Sequence, residues 1–189
     1  MMFNLTDVVK NLLIINVIVY VAVHFLFNQS LSPYFIYFPY DGDSFQPIQI
    51  ITHMFNHGNE PHLFFNMLTL FFFGPNVESM WGPKKFLFFY FACGLGSLFL
   101  HVVLSGSAAV GASGAISGVM VAFAYLFPEA RLFPIPIKVK YAVPLLLAYD
   151  LHLALAGKQI GVAHYAHIGG ALTAVLLIYL FRKNPNFMR

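Results

Sequence analysis

Apolar residues run through this chain in stretches of about a helix length, and polar residues collect in the short breaks between them. A bilayer core about 30 Å thick takes roughly 20 mainly apolar residues in helical form, fewer where neighbouring helices bury the ends. The pattern predicts six such spans, at about 8–27, 62–80, 84–104, 113–127, 138–156 and 162–181. The breaks carry turn chemistry, as in "WGPKK" (81–85), "FPEARLFPIP" (127–136) and "GKQIG" (157–161). No linker, internal repeat or low-complexity tract interrupts the order. The expectation is one all-α membrane domain over residues 1–189, a six-helix bundle with a long first outer loop.

Composition sharpens this. Of 189 residues, 59% are hydrophobic and 9% charged, with 22 Phe and 10 Tyr, which excludes an ordinary soluble domain. The opening residues "MMFNLTDVVKN" lack the short apolar core and small-residue cleavage site of a signal peptide, so the first run reads as a retained span. The single cysteine, Cys93, allows no disulfide framework. The net charge of +3 matters less than its placement. With the N-terminus inside, Lys10, Lys84, Lys85, Arg131, Lys138, Lys140, Arg182, Lys183 and Arg189 all fall on the cytoplasmic side. Only Lys158 falls outside, with Asp41, Asp43 and Glu60. That bias predicts cytoplasmic termini and a bilayer, not nucleic acid, as the partner of the basic residues.

The first outer loop, 28–61, is long for a compact bundle and rich in aromatics such as Tyr34, Tyr37, Tyr40 and Phe45. Aromatics settle at the headgroup level, so a structured interfacial loop is expected.

Polar groups at membrane depth are costly and mark function by default. Three sets stand out. "GASGAISG" opens the fourth span with Ser113 and Ser117 among Gly111, Gly114 and Gly118. The glycines suit close helix packing, and a serine can bond its own helix. His167 enters the sixth span in "HYAHIGGAL", and His62 and Asn66 share one face of the second span. Ser113 and His167 each lie roughly 14 residues from the inner end of their span, so both sit about 21 Å above the cytoplasmic boundary. A weak nucleophile and a base at one depth suit serine hydrolysis, and donors beside them suit an oxyanion hole.

The residues in order, "ITHMFNHGNEPHLFFNM" (51–67), "GPNVESMWG" (74–82), "GASG" (111–114) and "AHIGG" (166–170), resemble the rhomboid intramembrane serine proteases of the six-span bacterial type. The resemblance implies a Ser–His dyad, with Ser113 as nucleophile and His167 as general base. It implies that His62, Asn66 and the backbone N–H of Ser113 stabilise the oxyanion. Gly111 and Gly170 would bring the fourth and sixth spans together, with Gly114 also structural, and Glu78 would anchor the inner end of the second span. It further implies movement of the fifth span, for which Pro144, Gly157 and Gly161 offer hinges, and substrates that are single-span membrane proteins cut near their outer end. Two departures are Ala174, where the family has a last glycine, and the lack of a Trp-Arg pair in the first loop. Neither cofactor nor metal is expected, and the membrane implied is a bacterial inner membrane.

Other readings attach to particular residues. Thr52, His53, His57 and Asn59 are candidates for a hydrated mouth. Asp150 falls between Ser113 and His167 in the order of a hydrolase triad. The resemblance favours a dyad, so the expectation for Asp150 is a polar contact with His152, and cleavage that survives Asp150→Asn. A zinc site at His53, His57 and His62 is opposed by Pro61, which breaks any helix carrying all three, and by the lack of an HExxH motif. A rhomboid-like pseudoprotease that binds helices without cutting would typically lack the serine or the histidine, and both are here.

Overall fold

The structure is a computed structural model and describes residues 5–40, 43–131, 136–157 and 163–184. The expectations for Asp41, Lys158, Gly161 and Arg189 lie outside these residues. Among the described residues the fold is helical, with two isolated antiparallel bridges and no strand. In chain order the helices are α1 (Asp7–Val21), extended by a π-helical turn (Ala22–Leu26), α2 (Ser32–Phe35), α3 (Gln49–Thr52), α4 (Glu60–Trp81), α5 (Pro83–Ser105), α6 (Ser113–Leu126), α7 (Val139–Leu155) and α8 (His164–Lys183). The six long ones fall where the apolar runs predict them. Three segments, Asp7–Leu26, Pro83–Ser105 and His164–Lys183, are long and apolar enough to cross a bilayer by length and composition, and α6 is a shorter apolar helix.

Helices in lipid gain little from hydrophobic burial against one another, so they associate through close packing. Here α5, α6 and α8 do so through small residues. A Cβ on Gly170 would stand 1.9 Å from the backbone oxygen of Gly114, and one on Gly118 would stand 2.5 Å from Cys93 Sγ. On the other side of α8, a Cβ on Gly169 would meet the Gly96 carbonyl at 2.7 Å. Gly114, rather than Gly111, is therefore the residue of α6 that meets Gly170. Ala174, the departure from the last family glycine, is fully buried in the same core.

Glu78, buried near the end of α4, ties α4 to the start of α1. Its carboxylate accepts the backbone N–H groups of Val8 (3.1 Å) and Val9 (2.9 Å) and the Thr6 hydroxyl. The first turn of a helix leaves such N–H groups without internal partners and carries partial positive charge, so an anion there satisfies both.

The loop from α1 to α4 is a folded unit. Gln49 is its hub: Nε2 donates to the carbonyls of Pro33 (2.7 Å) and Ser44 (2.8 Å), and Oε1 accepts from Phe38 N (3.2 Å). Tyr37 and Ala109 exchange backbone hydrogen bonds at 2.9 and 3.0 Å, which fastens this loop to the segment leading into α6.

Candidate active site

At 14 residues, α6 is about 21 Å long, less than the thickness of a bilayer core. Its first residue, Ser113, opens the helix and lines a cavity. The cavity encloses about 620 Å³ and is lined by Ser113, His167, His62, Asn66, His101 and Ser107, among others. Four residues singled out in the sequence thus share one space, drawn from α4, α6 and α8. Ser117, one turn deeper, is buried and donates to the Ser113 carbonyl at 2.9 Å, so its hydroxyl serves its own helix.

Gly111 shapes the approach to Ser113. Its φ of +121° is open to glycine and strained for other residues, and a Cβ there would stand 2.7 Å from Cε1 of His62. Its N–H donates to the His53 carbonyl at 2.8 Å. The imidazole of His62 consequently lies over the turn that leads into Ser113. Asn59 caps α4 by accepting the His62 backbone N–H at 2.8 Å, and the Gly58 N–H donates to Nδ1 of His62 at 3.4 Å. An accepting Nδ1 leaves the proton on Nε2, which makes that nitrogen a donor. Asn66 donates one amide N–H to the His62 carbonyl at 2.8 Å and has a second to offer the cavity.

His167 is held from the other side. Its Nδ1 lies 3.0 Å from Oδ2 of Asp150 on α7, and Nδ1 of His164 lies 2.7 Å from Oδ1 of the same carboxylate. This corrects the expected partner of Asp150. Positions two apart on a helix point to different faces, so His152 turns away and is exposed, while His164 and His167 approach from α8. His164 went unnoticed in the sequence, although its spacing of three from His167 in "HYAH" puts both on one face.

The expected hydrated mouth is also revised. Asn59 lines the cavity, but Thr52 donates to the Ile48 carbonyl (3.0 Å), and His53 and His57 are buried. His53 Nδ1 donates to the Gln49 carbonyl at 2.9 Å, and His57 meets His62 edge-on at 4.9 Å between ring centres. Burial pushes the His53 imidazole down to about 4 and that of His57 to about 3, so both are neutral at ordinary pH. His53, His57 and His62 do not converge as a ligand set. Among the described residues the His and carboxylate donors that do converge, all within 4.8 Å, are those of Asp150, His164 and His167, and hydrogen bonds to the carboxylate account for that spacing.

A comparison with known families matches the Rhomboid domain over residues 44–184. The chain belongs to the rhomboid family. It is 35% identical over 147 residues to Rhomboid protein 1, mitochondrial, of Saccharomyces cerevisiae, covering 72% of this chain and 42% of that protein. It is 32% identical over 158 residues to Rhomboid protease AarA of Providencia stuartii, covering 72% of this chain and 56% of that protein. With Rhomboid protease GluP of Bacillus subtilis it shares 30% over 125 residues, 66% of this chain and 24% of that one. This rhomboid chain therefore spans less than two thirds of the length of each of these relatives. Family and apolar helices together make it an integral membrane protein.

Proposed function

We propose that this rhomboid is an intramembrane serine endopeptidase that cuts single-span membrane proteins near the outer end of their span. One observation carries the reading: Ser113, His167, His62 and Asn66 line a single cavity at the head of the short helix α6. Relatives named as rhomboid proteases, AarA and GluP, support it.

In this mechanism Nε2 of His167 takes the proton of Ser113 Oγ as the oxygen bonds to the scissile carbonyl carbon. Negative charge moves to the carbonyl oxygen, where the Ser113 backbone N–H, Nε2–H of His62 and the free amide N–H of Asn66 stabilise it. The C–N bond then breaks, and His167 returns the proton to the leaving amine. Water, deprotonated by His167, attacks the acyl-enzyme and releases Ser113. A substrate helix must unwind to present its carbonyl, which favours small or helix-breaking residues near the cut. Water reaches the site through the cavity, since lipid supplies none.

The reading takes residues 1–189 as one six-span membrane domain with both termini cytoplasmic, in a bacterial inner membrane. The basic residues at one set of helix ends support that orientation. The test is cleavage of a single-span reporter tagged distinguishably at each end. Wild type should release fragments that map the cut to the outer end of the span, and Ser113→Ala should release none. Cleavage that survives the alanine change contradicts the mechanism, and a wild type that binds the reporter without cutting it favours the pseudoprotease alternative.

A further inference from the structure

The Ser–His pair accounts for the chemistry without assigning any role to the carboxylate behind the histidine. Asp150 is the one acidic residue of α7, and it is a half-buried group in a helix that otherwise presents Tyr141, Leu145, Leu146 and Tyr149 outward. A carboxylate in such a place is costly unless its oxygens are satisfied. Both are, each by a different imidazole of α8.

We propose that Asp150 is a positioning residue for His167, so that this chain works with a Ser113–His167–Asp150 relay rather than a bare dyad. An ionised carboxylate only accepts hydrogen bonds, so Nδ1 of His167, at 3.0 Å from Oδ2, must carry the proton. That leaves the lone pair on Nε2, the nitrogen that has to accept the proton of Ser113. The same bond fixes the ring's rotation and faces the positive charge that forms on the imidazole during attack. His164 holds Oδ1 at 2.7 Å and so keeps the carboxylate from turning away. Asp150 rides on α7 while Ser113 and His167 sit on α6 and α8. The base is therefore in working order only while α7 is docked against α8.

The inference rests on the assignment of Ser113 and His167 made above, and the experiment separates the two. The purified full chain is assayed on the reporter as wild type, Ser113→Ala, Asp150→Asn and Asp150→Glu. An amide at 150 has one acceptor oxygen for two imidazoles, so it cannot hold both in the present tautomers. Asp150→Asn should lower kcat roughly 10²- to 10⁴-fold with KM nearly unchanged. Labelling of Ser113 by a serine-reactive phosphonate should slow in parallel, and Asp150→Glu should recover part of the loss. A role confined to packing would lower thermal stability without this split. Nitrogen NMR of the wild type, labelled at histidine, reads the tautomer directly and needs no variant at position 150. His167, assigned by comparison with His167→Ala, should carry its proton on Nδ1. An inactive Ser113→Ala beside an Asp150→Asn with wild-type kcat overturns the role of Asp150 alone, as does a His167 proton found on Nε2. Cleavage by Ser113→Ala overturns the assignment of the nucleophile and this inference with it.

Discussion

Asn66 spends one amide N–H on the backbone of the preceding turn and keeps the other for the cavity, a use of an amide that pure packing does not require. If that second N–H meets the developing oxyanion, Asn66→Ala should reduce kcat about 10²-fold while leaving KM close to wild type. Steady-state kinetics on the reporter check this, and an unchanged kcat would remove Asn66 from the oxyanion hole. Residues of this kind are legible in the sequence because a polar side chain in an apolar run is conspicuous. Ser113, His167, His62 and Asn66 all announce themselves that way. The partner of His167 does not. Whether Asp150 faces His152, His164 or His167 depends on how α7 is rotated against α8, and neither residue spacing nor depth along a span encodes that rotation.

Helix ends were readable for a related reason. Pro and Gly punctuate the apolar runs, as at Gly82, whose φ of +81° makes the sharp turn between α4 and α5. Packing faces were harder to read, because a span that is apolar all round carries no stripe to say which side meets a neighbour. The small residues are what decide it. Gly170→Val on α8 would drive a side chain into the Gly114 backbone, which has no rotamer to yield. The expected cost is about 1–3 kcal/mol, the usual range for overpacking, and it should appear as a lower melting temperature in detergent. Since Gly114 adjoins Ser113, cleavage should fall as well. A variant with unaltered stability would mean that α6 and α8 are not held by this contact. Glu78 shows an intermediate case. The sequence resemblance assigns it an anchoring role, and the structure supplies the object anchored, the first turn of α1.

At the scale of the whole molecule, the folded loop contributes a pH dependence of its own through His53 and His57. His57 is fully buried between α1 and α4 and is pushed down to about 3, first by burial and then by the nearby His62 and His24. His53 is held at about 4, again by burial, partly offset by its hydrogen bond to Gln49. In the unfolded chain both take up a proton near pH 6.5. Above that value neither affects stability. As the pH falls from about 6.5 towards 4, the unfolded state binds protons that the folded state refuses, so stability declines. The melting temperature in detergent should therefore drop from pH 7.5 to pH 4.5, and His57→Phe should make the drop smaller. A melting temperature equally steep with pH in that variant would contradict the assignment to His57. This feature was not legible in advance, because His53 and His57 read as polar loop residues until the folded loop buried them.

The central claim is that one hydroxyl, Ser113 Oγ, is an activated nucleophile inside the membrane domain. Intact mass and peptide mapping after treatment with a serine-reactive phosphonate test it most directly. The account predicts a single adduct on Ser113, absent from both Ser113→Ala and His167→Ala. An adduct on Ser117 or on another residue, or labelling of Ser113 that persists without His167, would contradict it.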